Sequence, residues 1–289
     1  VGGFGFTWFP LEGGWIGLRS HDGRYKRIDA CLVALLRDAA KGYCERSNLS
    51  PETREAIDTL ARDGFLDPGG EIRERPVPPD IRVGPRVMLV ALLGGAIALI
   101  LALRWDLAWP PPSDPRESLW AIPFFALVSI LHEAGHWVAA RPYFRARIGF
   151  GLLNGVFPAI VTRTSDAWAC PRGIRIWINL AGIAVELMVG LALALVYLVP
   201  LADPKPISML LLVILLRILF VLNPLLEGDG YWLLSDALGA VNLRSRGWAE
   251  LRRGHVTPAA GFAALSVLYT LLALGLLLTA LGHLTGIVG

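Results

Sequence analysis

The chain has 289 residues, of which 54% are hydrophobic and 18% charged, against about 25% charged in a soluble globular protein. With a mean hydropathy of +0.54, this excludes a disordered chain, a collagen-like fibre and an ordinary cytosolic enzyme. The 27 basic and 24 acidic residues leave a net charge of only +3, too small an excess to suggest nucleic acid as the partner. The three cysteines, Cys31, Cys44 and Cys170, share no metal-ligand spacing, and their odd number argues against a disulfide framework.

Charge is concentrated at the start. Residues 1–86 hold 13 Lys and Arg and 13 Asp and Glu, so this part has the character of a soluble domain. No basic-then-apolar leader follows Val1, so no signal peptide is expected. Thr7–Pro10, Trp15–Arg19 and Tyr25–Ile28 read as short strands, the last two joined by the hairpin turn Asp22-Gly23. Asp29 is placed to cap a helix reaching about Ala40, with Leu32, Leu35 and Leu36 on one face. Ser50-Pro51 opens a second helix that ends near Gly64. Strands followed by helices predict a small α+β, winged-helix-like module over residues 1–70. A proline-rich linker, 71–86, leads to a membrane domain over 87–289.

Five apolar stretches are long enough to span a bilayer: Val87–Leu103, Ser118–Ala140, Ile176–Val199, Ile207–Leu226 and Ala259–Leu281. A sixth, Ile148–Val161, is short and carries Gly149, Gly151, Gly155 and Pro158, which fits a re-entrant or interfacial hairpin better than a span. The expected fold is therefore mainly α: a polytopic membrane protein of about five transmembrane helices behind a small soluble domain. Basic residues crowd the segment before span one, the connection from span two to three, and the segment after span four. Only Arg104, Arg116 and Lys205 lie in the alternate connections. This asymmetry predicts a multi-pass protein of the cell membrane, N-terminus in the cytoplasm and C-terminus outside, with Trp105, Trp109 and Trp120 at the outer interface.

The sharpest chemical signal is His132-Glu133-Ala134-Gly135-His136. On a helix the two histidines fall one turn apart on one face, so both imidazoles reach one metal ion, and Glu133 stands beside them to take a proton from a water. With five histidines in the chain, such a pattern arises by chance in about 0.3% of sequences of this composition. The bland alternative is two buried histidines in a span, but intramembrane ionisable residues are costly and usually functional. A catalytic zinc takes a third protein ligand, and Asn223-Pro224-Leu225-Leu226-Glu227-Gly228-Asp229-Gly230 offers two carboxylates, Glu227 and Asp229. Spans two and four run in the same direction, which brings His132, His136 and this segment to one depth. His132 is then about 12 Å from the cytoplasmic end of its helix.

The paired motifs resemble the site-2 protease family of intramembrane zinc metalloproteases. NPLLEGDGYWLLSD is similar to the NPLLxxDGYxxLSD pattern of its peptide zinc metalloprotease subgroup. The resemblance covers residues 118–240. It implies His132, His136 and Asp229 as zinc ligands, Glu133 as general base, and Asn223 as the residue that holds or polarises the substrate carbonyl. The Asn-to-Asp interval is shorter here than in many members of that family. Ile148–Val161 falls where the family has membrane-associated strands that present substrate. HDGRYKRIDACLVALLRDA and REAIDTLARDGFLD resemble the PqqD-like peptide-recognition element of peptide natural-product pathways. Together the two resemblances imply removal of a leader from a ribosomally made precursor peptide near the cytoplasmic face. The rivals are regulated intramembrane proteolysis of a transmembrane protein, and a non-catalytic membrane peptide-binding or immunity protein, which would have no use for Glu133. A diiron oxidase needs more histidine and carboxylate ligands than the chain supplies.

Glu186 and Arg217, lone charges in spans three and four, are expected to pair structurally, with a proton relay as the alternative. His255 and His283 have no ligand spacing and are read as surface or interfacial. Nothing near Cys170 would lower its pKa.

Overall fold

The structure, a computed structural model, describes residues 4–43, 49–103, 120–153, 157–199, 204–240 and 242–284. Two compact units emerge. One gathers the described residues of 1–81, 140–146 and 163–175, and the other those of 82–139, 147–162 and 176–289.

The first unit is built on a sheet of β1 (Phe4–Pro10), β2 (Trp15–Arg19), β3 (Tyr25–Asp29), β4 (Asp67–Pro68) and β5 (Ile72–Glu74). The first three strands form an antiparallel meander, Trp8 facing Leu18 and Gly17 facing Arg27 across the ladders. β5 pairs in parallel with β1 through Phe6, Thr7 and Trp8. Helices α1 (Ala30–Ala40) and α2 (Pro51–Arg62) start where the caps predict. Asp29 accepts from the Cys31 amide, and Ser50 accepts from the Thr53 amide with Pro51 in the first turn. Alternation along the strands sends Phe6, Trp8, Leu18 and Ile28 to one face, where they bury against Val33, Leu36, Leu60 and Phe65. Phe9, Gly17, Arg19 and Tyr25 take the other face. A Cβ at Gly17 would lie 2.2 Å from the Phe9 ring, so only glycine admits that ring.

Two expectations change here. Residues 72–74 are not free linker but a strand, and Arg75 donates its amide to the Trp8 carbonyl at 2.8 Å. The first unit also includes a segment from far along the chain. Asp166, in a 3-10 turn of Ser165–Ala169, accepts from the Tyr25 hydroxyl and lies 3.2 Å from Arg19 Nε and 3.4 Å from Arg75 Nη1. Burial, then the bond to Asp166, pushes the Tyr25 phenol up to about 12. Burial opposes ionisation of Asp166, yet Tyr25 and the two guanidiniums outweigh it and hold the carboxyl below its usual range. Burial also pushes the nearby Cys170 thiol up to about 11, outweighing the downward pull of Arg75 and Arg175, two neighbours the sequence did not show.

The second unit is mainly helical: α3 (Gly84–Leu103), α4 (Ala121–Ala140), α5 (Arg172–Tyr197, from Ile176 onward), α6 (Pro204–Val221), α7 (Asp229–Leu238), α8 (Leu243–Arg252) and α9 (Pro258–Leu284). Among the described residues, four helices are long and apolar enough to cross a membrane: α3, α4, α5 and α9. The fifth expected span corresponds to α6, which has 18 residues and is not among those four. It stops at Val221 rather than Leu226 because Asn223 precedes a proline, and a residue before proline is steered out of helical geometry. Trp105, Trp109, Arg104 and Arg116 lie outside the described residues.

More than half of α5 is buried, and α3, α4 and α6 pack against it. Val90, Leu93 and Ile97 of α3 cover Leu180, Ile183 and Leu187 on one side of it. Leu92, Leu99 and Leu103 of α3, and Leu268, Leu272 and Leu276 of α9, are exposed, as expected of faces that meet lipid. The expected hairpin is present as β6 (Arg147–Leu153) and β7 (Phe157–Arg163), a two-stranded sheet; the connection containing Gly155 lies outside the described residues.

Candidate metal centre

Helix α4 carries one buried stripe: Val128, His132, Gly135, His136 and Ala139. Spacings of three and four residues keep these on one face. The opposite side exposes Leu127, Ile130, Trp137 and Val138. α4 is thus inverted relative to a soluble amphipathic helix, with its polar and small residues inward and its bulky apolar ones outward, as helix packing in lipid favours. The partner stripe is Ile178, Gly182 and Glu186 of α5, again at intervals of four. A Cβ at Gly135 would lie 2.7 Å from the Ala181 carbonyl, so glycine there brings the two helices together.

On this contact each imidazole has an oxygen of α5 behind it. His136 Nδ1 lies 2.7 Å from the Ile178 carbonyl, the distance of an N–H donating to it. His132 Nδ1 lies 3.0 Å from Glu186 Oε1, close but out of line for a hydrogen bond. The Nε2 atoms therefore face each other at 2.9 Å. Asp229 Oδ2 closes the triangle at 3.0 Å from His132 Nε2 and 3.1 Å from His136 Nε2.

Asp229 arrives at the first turn of α7 after the turn that follows α6. Asn223 Oδ1 accepts from the Leu225 amide at 2.9 Å, which shapes that turn. Arg244 donates to the Leu225 carbonyl at 2.8 Å and pairs with Glu227 at 3.2 Å, and Ser266 Oγ also reaches the Leu225 carbonyl. A Cβ at Gly230 would meet the Leu222 carbonyl at 2.2 Å. The Asp-Gly pair is therefore a packing requirement: Gly230 lets the chain fold back tightly enough to deliver Asp229.

The sequence left Glu227 and Asp229 as alternatives, and the structure separates them. Asp229 joins His132 and His136, while Glu227 is exposed and turned to Arg244. Glu133, half-buried, follows His132 directly, and its main-chain carbonyl accepts from the Thr162 hydroxyl of β7 at 2.9 Å. Asn223 lies in the same turn as Asp229, and its placement shows a structural role in that turn. Glu186 and Arg217 do pair, at 2.6 Å. His255 is exposed, 3.6 Å from Glu250, and the His283 side chain lies outside the described residues.

The donor set suits a metal ion. One ligand atom each from His132, His136 and Asp229 lies within 4.8 Å of the others. Gly182 gives a second indication, since a Cβ there would sit 2.6 Å from His136 Nε2 and 2.7 Å from His132 Nε2. The helix is thus hollowed on the side to which the nitrogens point. Gly182, Ile178 and Thr162 went unnoticed in the sequence. Only the four-residue interval linking Ile178, Gly182 and Glu186 could have hinted at two of them. Comparison of the chain with protein-family models, curated proteins and solved structures gave no match.

Proposed function

We propose that the protein is a membrane-embedded zinc endopeptidase that removes the leader from a ribosomally synthesised precursor peptide near the cytoplasmic face. The observation that carries this reading is the triangle of His132, His136 and Asp229 with Glu133 next in the chain to a ligand. Two imidazoles and one carboxylate are the three-ligand protein set of a catalytic zinc site, whereas a structural zinc takes four protein ligands. When bound, zinc would supply Lewis-acid activation of the water and the scissile carbonyl. Glu133 would take the proton of the attacking water and return it to the departing amine nitrogen. Asn223, whose Oδ1 is engaged in its own turn, would offer its amide nitrogen to the substrate carbonyl.

The topology belonging to this reading has α6 as a fifth span, the N-terminus in the cytoplasm and the C-terminus outside. The sheet of the first unit supports peptide recognition. Among the described residues β3 pairs only with β2, so its other edge can accept an extended leader by strand addition. Because this unit is covalently tied to α3, a captured peptide gains effective concentration at the metal. The test is kinetic and analytical together. Glu133→Gln should keep about one zinc per chain and lose turnover by about 10²–10⁴-fold, whereas His132→Ala should lose the metal as well. Turnover surviving Glu133→Gln would overturn the assignment.

A further inference from the structure

The metal triangle leaves one buried group unexplained. Glu186 is fully buried on α5, in a span where a charge must find partners. A guanidinium and a carboxylate that serve only each other usually meet fork to fork, each nitrogen taking its own oxygen. Arg217 does otherwise. Its Nη2 at 2.6 Å and its Nε at 3.1 Å both converge on Glu186 Oε1, and Oε2 has no hydrogen-bond partner among the described residues. The same Oε1 is the atom 3.0 Å from His132 Nδ1, a buried nitrogen that stands close to it but out of line for a hydrogen bond and has no other partner among the described residues.

Arg217 is itself braced. Its Nη1 donates to Ser129 Oγ at 2.7 Å, Ser129 donates to the Phe125 carbonyl at 2.7 Å, and the guanidinium lies 4.5 Å from the Phe125 ring centre. A continuous line of contacts thus runs from α4 through Arg217 of α6 and Glu186 of α5, and returns to α4 at His132. His136 has the Ile178 carbonyl behind its Nδ1, so each histidine has an acceptor on α5.

We propose that Glu186 is a positioning residue for the metal centre: its carboxylate, held by Arg217, takes the Nδ1 proton of His132 as a hydrogen bond and so presents the Nε2 lone pair to the metal. This rests on the metal reading of His132, His136 and Asp229. A carboxylate behind a ligating imidazole fixes its tautomer and ring orientation and raises its basicity, and loss of such a partner typically weakens metal affinity about 10–100-fold. Arg217 acts one step further back by fixing the direction of the carboxylate.

The experiment measures zinc dissociation constants by chelator competition, with the thermal midpoint, for the detergent-purified full chain. The variants are Glu186→Gln and the double variant Glu186→Leu with Arg217→Leu, with the single Glu186→Leu as the thermal reference. The double variant removes both charges, so neither is stranded and the fold is kept, but nothing remains to hold His132 Nδ1. Glu186→Gln is isosteric and answers the question if the double variant does not fold. The proposal expects zinc affinity to fall about 10–100-fold in both, with the double variant melting above Glu186→Leu alone. With cobalt in place of zinc, the visible spectrum should shift in the same variants. Wild-type zinc affinity in Glu186→Gln and in the folded double variant would overturn the proposal and reduce the pair to a structural ion pair. Failure of the metal reading looks different: the wild-type chain itself would bind zinc no better than His132→Ala.

Discussion

At the residue scale, the centre depends as much on a missing side chain as on those present. Gly182 is the sharpest case, since a methyl group there would occupy the space shared by the two Nε2 atoms. Gly182→Ala should therefore leave the helices assembled and abolish metal binding, as read by zinc content against an unchanged circular dichroism spectrum. Full zinc occupancy in that variant would show that the ion does not sit against α5. The carboxylate pair gives a second contrast. Asp229→Asn should lose the metal, whereas Glu227→Gln should keep it, because Glu227 faces Arg244 instead. The histidine pair and Glu133 were legible in the sequence because a helix converts a four-residue interval into a shared face without any tertiary information. Gly182 was not legible, because its role exists only once α5 lies against α4.

At the element scale, caps and turns were read well and pairings less so. Asp29, Ser50-Pro51 and Asp22-Gly23 act through neighbours in the chain, so their effects show in local sequence. β4 and β5 escaped notice because they have two and three residues with no alternating pattern, and their pairing with β1 is long-range. The span assigned to Ile207–Leu226 ran past the helix end because apolarity continues through Leu222, Leu225 and Leu226 while the backbone turns at Asn223-Pro224. The connector around Asp166 is the element whose behaviour is most open to test. Its carboxyl is held below the usual range in the fold, so its stabilising contribution is complete above the unfolded value near about 3.9 and is lost as pH falls through the folded one. Hydrogen exchange over residues 163–175 should therefore stay flat from pH 7 to 5, after correction for intrinsic rates, and rise only at more acid pH. Asp166→Asn should raise it at pH 7 by about tenfold or more, the cost of a charge-assisted hydrogen-bond hub. An unchanged protection pattern in Asp166→Asn would mean that other contacts hold the connector.

At the scale of the whole molecule, the apolar character was legible from composition, and among the described residues four helices are long and apolar enough to cross a membrane, which is compatible with a membrane protein. The division of the chain was legible only in part. Residues 71–81 and 163–175 belong to the N-terminal unit, so a deletion of residues 1–70 would break β5 pairing and the Asp166 contacts as well as any leader site. Substrate truncation is the cleaner test of capture: removing the leader from the peptide should raise KM while leaving kcat at saturation nearly unchanged. An equal KM for leaderless and full-length peptide would reduce the N-terminal unit to a scaffold. The central claim, metal-dependent hydrolysis of a captured peptide, is tested most directly by mass spectrometry of peptides retained on Glu133→Ala protein and then offered to the wild type. The account predicts that an uncut precursor without any spanning helix is recovered and that the wild type cleaves it at one bond while zinc is present. A retained peptide that the zinc-loaded wild type leaves intact would contradict it.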